Sequence, residues 1–139
     1  MLHQLVTPEA MAGLLVRIFT GILFFFQGYD KFFRMGIGEV VLTIQPAYRK
    51  IGLPDSIIKL FAYLTSFIEL AGGFLLLIGF LKFYALYALG LDLLIVAIGM
   101  SILNPTWDLQ HVFPRLLLVI FLMILPSGFD IFTLDHFVF

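Results

Sequence analysis

Apolar residues run along this chain in four long blocks, each close to the roughly 20 residues a helix needs to cross a hydrocarbon core. The blocks fall at 10–33, 57–80, 83–103 and 112–132, and turn chemistry separates them. Gly36 and Gly38 follow the first block. Pro54-Asp55-Ser56 precedes the second, with Asp55 or Ser56 expected as its N-cap. Only Leu81-Lys82 parts the second from the third, which predicts a tight antiparallel hairpin, and Asn104-Pro105 ends the third. In the fourth, residues 112–125 are too few to cross before Pro126-Ser127-Gly128 intervenes. The expectation is a helix kinked at Pro126 that continues to Phe132. The alternative is a tail along the interface, where Phe129, Phe132, Phe137 and Phe139 alternate with Asp130, Asp135 and His136.

The connection between the first two blocks has a pattern of its own. Val40, Val41, Ile44, Tyr48 and Ile51 fall near helical spacing, opposite Glu39, Arg49 and Lys50. That predicts a short amphipathic helix on the membrane surface, broken near Pro46. Tyr29 and Trp107 on this side, and Tyr84 and Tyr87 on the other, suit the interfacial aromatic belts. The predicted fold class is all-α: one domain over residues 1–139, an antiparallel four-helix transmembrane bundle with an amphipathic interfacial segment between the first two helices.

Composition strengthens this reading. Of 139 residues, 62% are hydrophobic and 12% charged, where a soluble domain carries about a quarter charged. A chain this apolar must turn apolar surface outward, and lipid is the solvent that allows it. The net charge of −1 gives no concentrated basic face for nucleic acid. With no cysteine, dithiol chemistry, thiolate metal sites and disulfides are excluded. Met1-Leu2-His3-Gln4 lacks the basic start of a secretory signal, so the first block reads as a retained span. Lys31, Arg34, Arg49, Lys50 and Lys59 flank the helices on the side of the long connection, and Lys82 flanks them opposite. The positive-inside bias places that connection in the cytoplasm and both termini outside. The expected address is multi-pass, in a bacterial inner membrane.

Charges inside the blocks carry the candidate chemistry. Arg17, Glu69, Asp92 and Arg115 each cost roughly 2.5–3.5 kcal/mol at a helix centre, so each is expected to face the bundle and find a partner. At about 1.5 Å rise per residue, Glu69 and Asp92 lie near mid-span. Arg17 lies about 5 Å from the middle on the side of the termini, within reach of an arginine fork. Arg115 falls level with Asp30 and Lys31, where it can snorkel or pair with Asp30. Arg17 shares a stripe with Gly13, Gly21, Phe24 and Gly28; Glu69 shares one with Ala62, Thr65, Ser66, Gly72 and Gly73; Asp92 shares one with Ala85, Ala88 and Gly99. Small residues let membrane helices approach closely, so these charges are expected to point inward. The Arg17, Glu69 and Asp92 cluster has two readings: an ionic lock that fixes helix register, or a ligand or proton site. Two acids against one arginine leave one carboxylate under-compensated.

No other motif is specific. His111 lies at one surface and His3 and His136 at the other, which argues against a haem held by two facing histidines. No metal site is expected, and there is no phosphate loop or nucleophile–base pair.

The chain resembles the DoxX family of small four-helix membrane proteins. The likeness is carried by Arg17, Gly21 and Phe24 leading to Gly28-Tyr29-Asp30-Lys31-Phe32. It continues in Glu69-Leu70-Ala71-Gly72-Gly73 and in Leu75-Leu76-Leu77-Ile78-Gly79, so that Gly21, Gly28, Gly72, Gly73 and Gly79 are expected at helix contacts. The resemblance implies a four-helix bundle, and some members are named as subunits of membrane oxidoreductases that pass electrons to quinone. Members with cysteine-based redox roles are poor guides to a chain without a thiol. The expected function is a non-catalytic subunit or helper of a larger membrane complex, with the bilayer, other membrane subunits or a second copy as partners. Its polar cluster would take a lipid-like or quinone-like ligand, and no resident cofactor is called for. The alternative is a subunit of a quinone-linked oxidoreductase that moves protons on intramembrane carboxylates. A small transporter, built by oligomerisation, is a third class.

Overall fold

The computed structural model describes residues 7–103 and 109–125, and every regular element within them is helical. Helix α1 runs Pro8–Tyr29 and passes into a π-helical turn, Asp30–Arg34. Helix α2 is Ile37–Lys50, α3 is Asp55–Ile78, α4 is Lys82–Leu103 and α5 is Leu109–Ile124. Three stretches are long and apolar enough to cross a membrane: Pro8–Arg34, Asp55–Ile78 and Lys82–Gly99. The apolar part of α5, Val112–Ile124, is shorter than a crossing. The expected kink at Pro126, the tail beyond it, His3, the Asn104-Pro105 break and Trp107 lie outside the described residues.

Helix ends follow local chemistry, in three places differently from expectation. Helix α1 starts earlier than residue 10, because the Thr7 hydroxyl accepts from the Ala10 amide at 3.1 Å and Pro8 fills the first helical position. At α3 the N-cap is Pro54, and neither Asp55 nor Ser56 caps it. The Asp55 carboxylate accepts instead from Arg49 Nη2 at 3.0 Å and Gln45 Nε2 at 3.1 Å, tying α3 to α2. Helix α2 is not broken at Pro46. The proline removes an amide that would have bonded the Leu42 carbonyl, and both residues sit on the exposed face.

Gly79, expected at a helix contact, stops α3. It adopts φ 70°, its amide donates to the Leu76 carbonyl at 3.2 Å, and the Phe80 amide donates to Leu75 at 3.0 Å. That pair of bonds satisfies the last carbonyls of the helix, and a left-handed residue there is best supplied by glycine. A three-residue connection, 79–81, then turns directly into α4.

Helices α1 and α3 lie antiparallel and nearly in backbone contact. A Cβ on Gly28 would strike the Leu70 backbone, and one on Gly73 would fall 2.7 Å from Phe25 Cα and 2.9 Å from the Gly21 carbonyl oxygen. Gly72 receives the Leu89 side chain from α4, where a Cβ would meet it at 2.9 Å. Around these contacts a core of Phe24, Leu76, Leu86, Leu89, Val119 and Leu122 closes α1, α3, α4 and α5 together. The opposite faces remain open: Leu15, Phe19, Phe67, Phe74, Leu91 and Leu94 are all exposed. The amphipathic helix α2 buries Val40 and Tyr48 against α3 and α4 and turns Leu42, Arg49 and Lys50 outward.

Candidate functional site

The three charges singled out in the sequence are all buried: Arg17 on α1, Glu69 on α3 and Asp92 on α4 are 2%, 1% and 0% exposed. They do not gather at one point. The Arg17 guanidinium donates through Nη1 to the main-chain carbonyls of Leu76 and, at 3.1 Å, Leu77. These are last-turn carbonyls of α3, where orphan acceptors and the negative end of the helix dipole favour a cation. Leu76 is seven residues beyond Glu69, about 10 Å along the axis. The expected arginine–carboxylate fork is therefore replaced by an arginine that caps a neighbouring helix.

Glu69 is paired by Lys31. The ammonium lies 2.9 Å from each carboxylate oxygen of Glu69. Lys31 comes from the π turn, closed by the Met35 amide donating to the Asp30 carbonyl at 2.7 Å. A single π turn widens the helix locally and is frequent at functional sites. Here it hands α1 over to the connection while its lysine faces α3. The remaining side chains of the turn are held elsewhere. Asp30 pairs with Arg34 at 3.2 Å, Arg34 also lies over the Tyr29 ring at 5.7 Å, and Phe32 meets Tyr63. Of the two places expected for Arg115, snorkelling or a pair with Asp30, the second is taken by Arg34, and Arg115 sits half-buried on α5.

Asp92 is the most constrained group. Its carboxyl lies within hydrogen-bonding reach of the Glu69 carboxyl and within electrostatic reach of Lys31. Among the described residues, neither Asp92 oxygen receives an N–H or O–H. Nearby hydroxyls are engaged with their own helices: Ser66 donates to the Ala62 carbonyl at 2.7 Å, and Thr65 to the same oxygen at 3.3 Å. Tyr48 of α2 also faces Asp92 electrostatically. Its hydroxyl donates to the Ile95 carbonyl at 3.4 Å, its ring packs on Phe61, and it fills the space beside Gly99. The assembled cluster is therefore Lys31, Glu69, Asp92 and Tyr48, with Arg17 seated apart.

Two of these four were visible in the sequence as buried charges. Lys31 stands at the end of a block, a place that suits snorkelling outward as well as inward, so the sequence marks it only as interfacial. Tyr48 is one of five apolar positions on α2, and nothing in the sequence marks it as the one that inserts. Lys82, read as a flanking charge, is buried, with its ammonium 5.4 Å from the Phe83 ring centre. No group of three or more His, Cys, Asp or Glu that could hold a metal occurs among the described residues.

An open apolar groove lies between α1 and α5, lined by Leu15, Val16, Ile18, Phe19, Ile22 and Leu118. It contains none of the cluster residues.

The family model for DoxX matches residues 12–102, which include Arg17, Lys31, Glu69 and Asp92. No curated protein and no solved structure matches the chain. The match covers well over half of the sequence: the chain belongs to the DoxX family, and its apolar helices make it a multi-pass integral membrane protein.

Proposed function

We propose that this DoxX-family chain is a non-catalytic subunit or helper of a larger membrane assembly, and that its polar cluster is an internal lock holding the helices in register. The observation that carries the reading is the contrast between inside and outside. Glu69 and Asp92 are closed off by packed side chains, and the groove between α1 and α5 lies elsewhere and is apolar. Meanwhile α1, α3 and α4 keep broad apolar faces, with Phe19, Phe67 and Leu91 each more than half exposed. Surface of that kind suits lipid or partner helices, not a soluble substrate.

In this reading the long connection that includes α2 faces the cytoplasm under the positive-inside bias. The test is to purify the protein in mild detergent and determine, by native mass spectrometry, what remains bound. A partner subunit at fixed stoichiometry, lost on Phe19→Gln or Phe67→Gln but kept on Gly38→Ala, is the expected result. A stoichiometric quinone without a partner protein would overturn the reading in favour of a quinone-linked oxidoreductase subunit.

A further inference from the structure

We propose that Glu69 and Asp92 together form a binding site for one proton, reached from outside by way of Lys31. The inference begins with hydrogen-bonding capacity. Two carboxylates have only acceptor oxygens, so two that face one another within bonding reach have no bond to make unless one carries a hydrogen. Glu69 and Asp92 face one another in this way. Glu69 also has the Lys31 ammonium, 2.9 Å away. Asp92 is fully buried, and among the described residues neither of its oxygens has a hydrogen-bond donor; burying an uncompensated charge is far more costly than burying a neutral carboxyl group.

Charge balance gives the same count. Two carboxylates and one ammonium sum to −1, and one bound positive charge makes the cluster neutral. Among the described residues, the groups facing the acids supply no other. Lys31 comes from the π turn and Tyr48 from α2. The core side chains of α1 and α5 include the apolar Phe24, Val119 and Leu122, and the buried Arg17 of α1 donates to the Leu76 and Leu77 carbonyls. The site is enclosed, and the ligand sets available for a metal ion are incomplete among the described residues. A proton is the cation that fits.

Access is one-sided. The Lys31 side chain is 19% exposed while that of Glu69 is 2%, so the lysine end meets the surroundings and Asp92 lies behind. In the binding step a hydronium ion gives its proton to one carboxylate oxygen. One O–H bond forms, water leaves, and the other carboxylate accepts the resulting hydrogen bond. The site deepens the lock described above, yet does not depend on whether a partner subunit exists, so the two readings fail separately.

Infrared spectroscopy of the full chain in lipid bilayers counts the protons. Protonated carboxyl groups absorb apart from carboxylates, and the band moves in D2O. At neutral pH the charge balance predicts one protonated carboxyl per chain in the wild type, none in Asp92→Asn and two in Lys31→Gln. The helical amide band in the same spectra reports folding. If Asp92→Asn does not fold, the comparison of wild type with Lys31→Gln still decides. A wild type with no protonated carboxyl overturns the proposal, as does a band that Lys31→Gln leaves unchanged or that survives in folded Asp92→Asn. Excess sodium ion should leave the wild-type band in place; its loss on adding sodium would mean a metal ion competes for the site, and would also overturn it.

Discussion

Replacing Gly73 by alanine tests the packing on which the cluster depends. The added methyl would fall 2.7 Å from Phe25 Cα and 2.9 Å from the Gly21 carbonyl oxygen, both backbone atoms of α1. Carbon atoms at rest lie about 3.5–4.0 Å apart, so α1 must retreat by about 1 Å, and no rotamer change can relieve a clash with backbone. Overpacking of this kind costs about 1–3 kcal/mol. Helix propensity works the other way, because alanine gains up to about 1 kcal/mol over glycine. The net expectation is a loss of about 1–2 kcal/mol, measured by titrating the folded protein in mild detergent with a denaturing detergent and following helicity. Gly38 in α2 has nothing within 4 Å of its added Cβ, so Gly38→Ala should be neutral or slightly stabilising. The same 1 Å retreat lengthens the Lys31–Glu69 contact. Lys31→Gln should therefore cost less in the Gly73→Ala background than in the wild type. A Gly73→Ala protein as stable as Gly38→Ala would refute the close approach of α1 and α3, and with it the placement of Lys31.

Three further outcomes follow from the geometry. Arg17→Met removes two charge-assisted bonds to the end of α3 and should lower stability by about 1–3 kcal/mol in the same titration; Arg17→Lys should recover part of it, since one ammonium can serve both carbonyls. Lys31→Gln and Glu69→Gln should each destabilise, while the double variant should cost less than the two added together, because each single change strands a buried partner; strict additivity in the cycle would mean that no pair exists. Tyr48→Phe should change little, because the hydroxyl bond is long at 3.4 Å, whereas Tyr48→Ala opens a cavity between α2, α3 and α4 and should cost about 3 kcal/mol or more, visible as faster hydrogen exchange in α2 by mass spectrometry.

The sequence carries the membrane reading and most of the helices, because a crossing demands a long apolar block and the blocks are plain to see. Helix stripes were legible for the same reason: the positions expected to face inward at Gly13, Arg17, Gly21, Phe24 and Gly28 are all buried. The partners of the charges were not legible. Depth alone places Arg17 near the carboxylates, but α3 ends at Ile78, and its last-turn carbonyls compete for the guanidinium. Helix length and helix end, not helix periodicity, decided that pairing. Pro46 misled in the opposite sense. A proline breaks a helix only where the missing amide and the displaced carbonyl matter, and on an exposed face both are tolerable.

The π turn explains why a lysine near the end of an apolar block serves the interior. Residues Asp30–Arg34 must finish α1 and position a charge, and two of the charges in the turn cancel each other at the surface, Asp30 against Arg34. That leaves Lys31 as the one charge the turn sends inward. Had the α-helix continued regularly, the change of register would have altered which residue met Glu69.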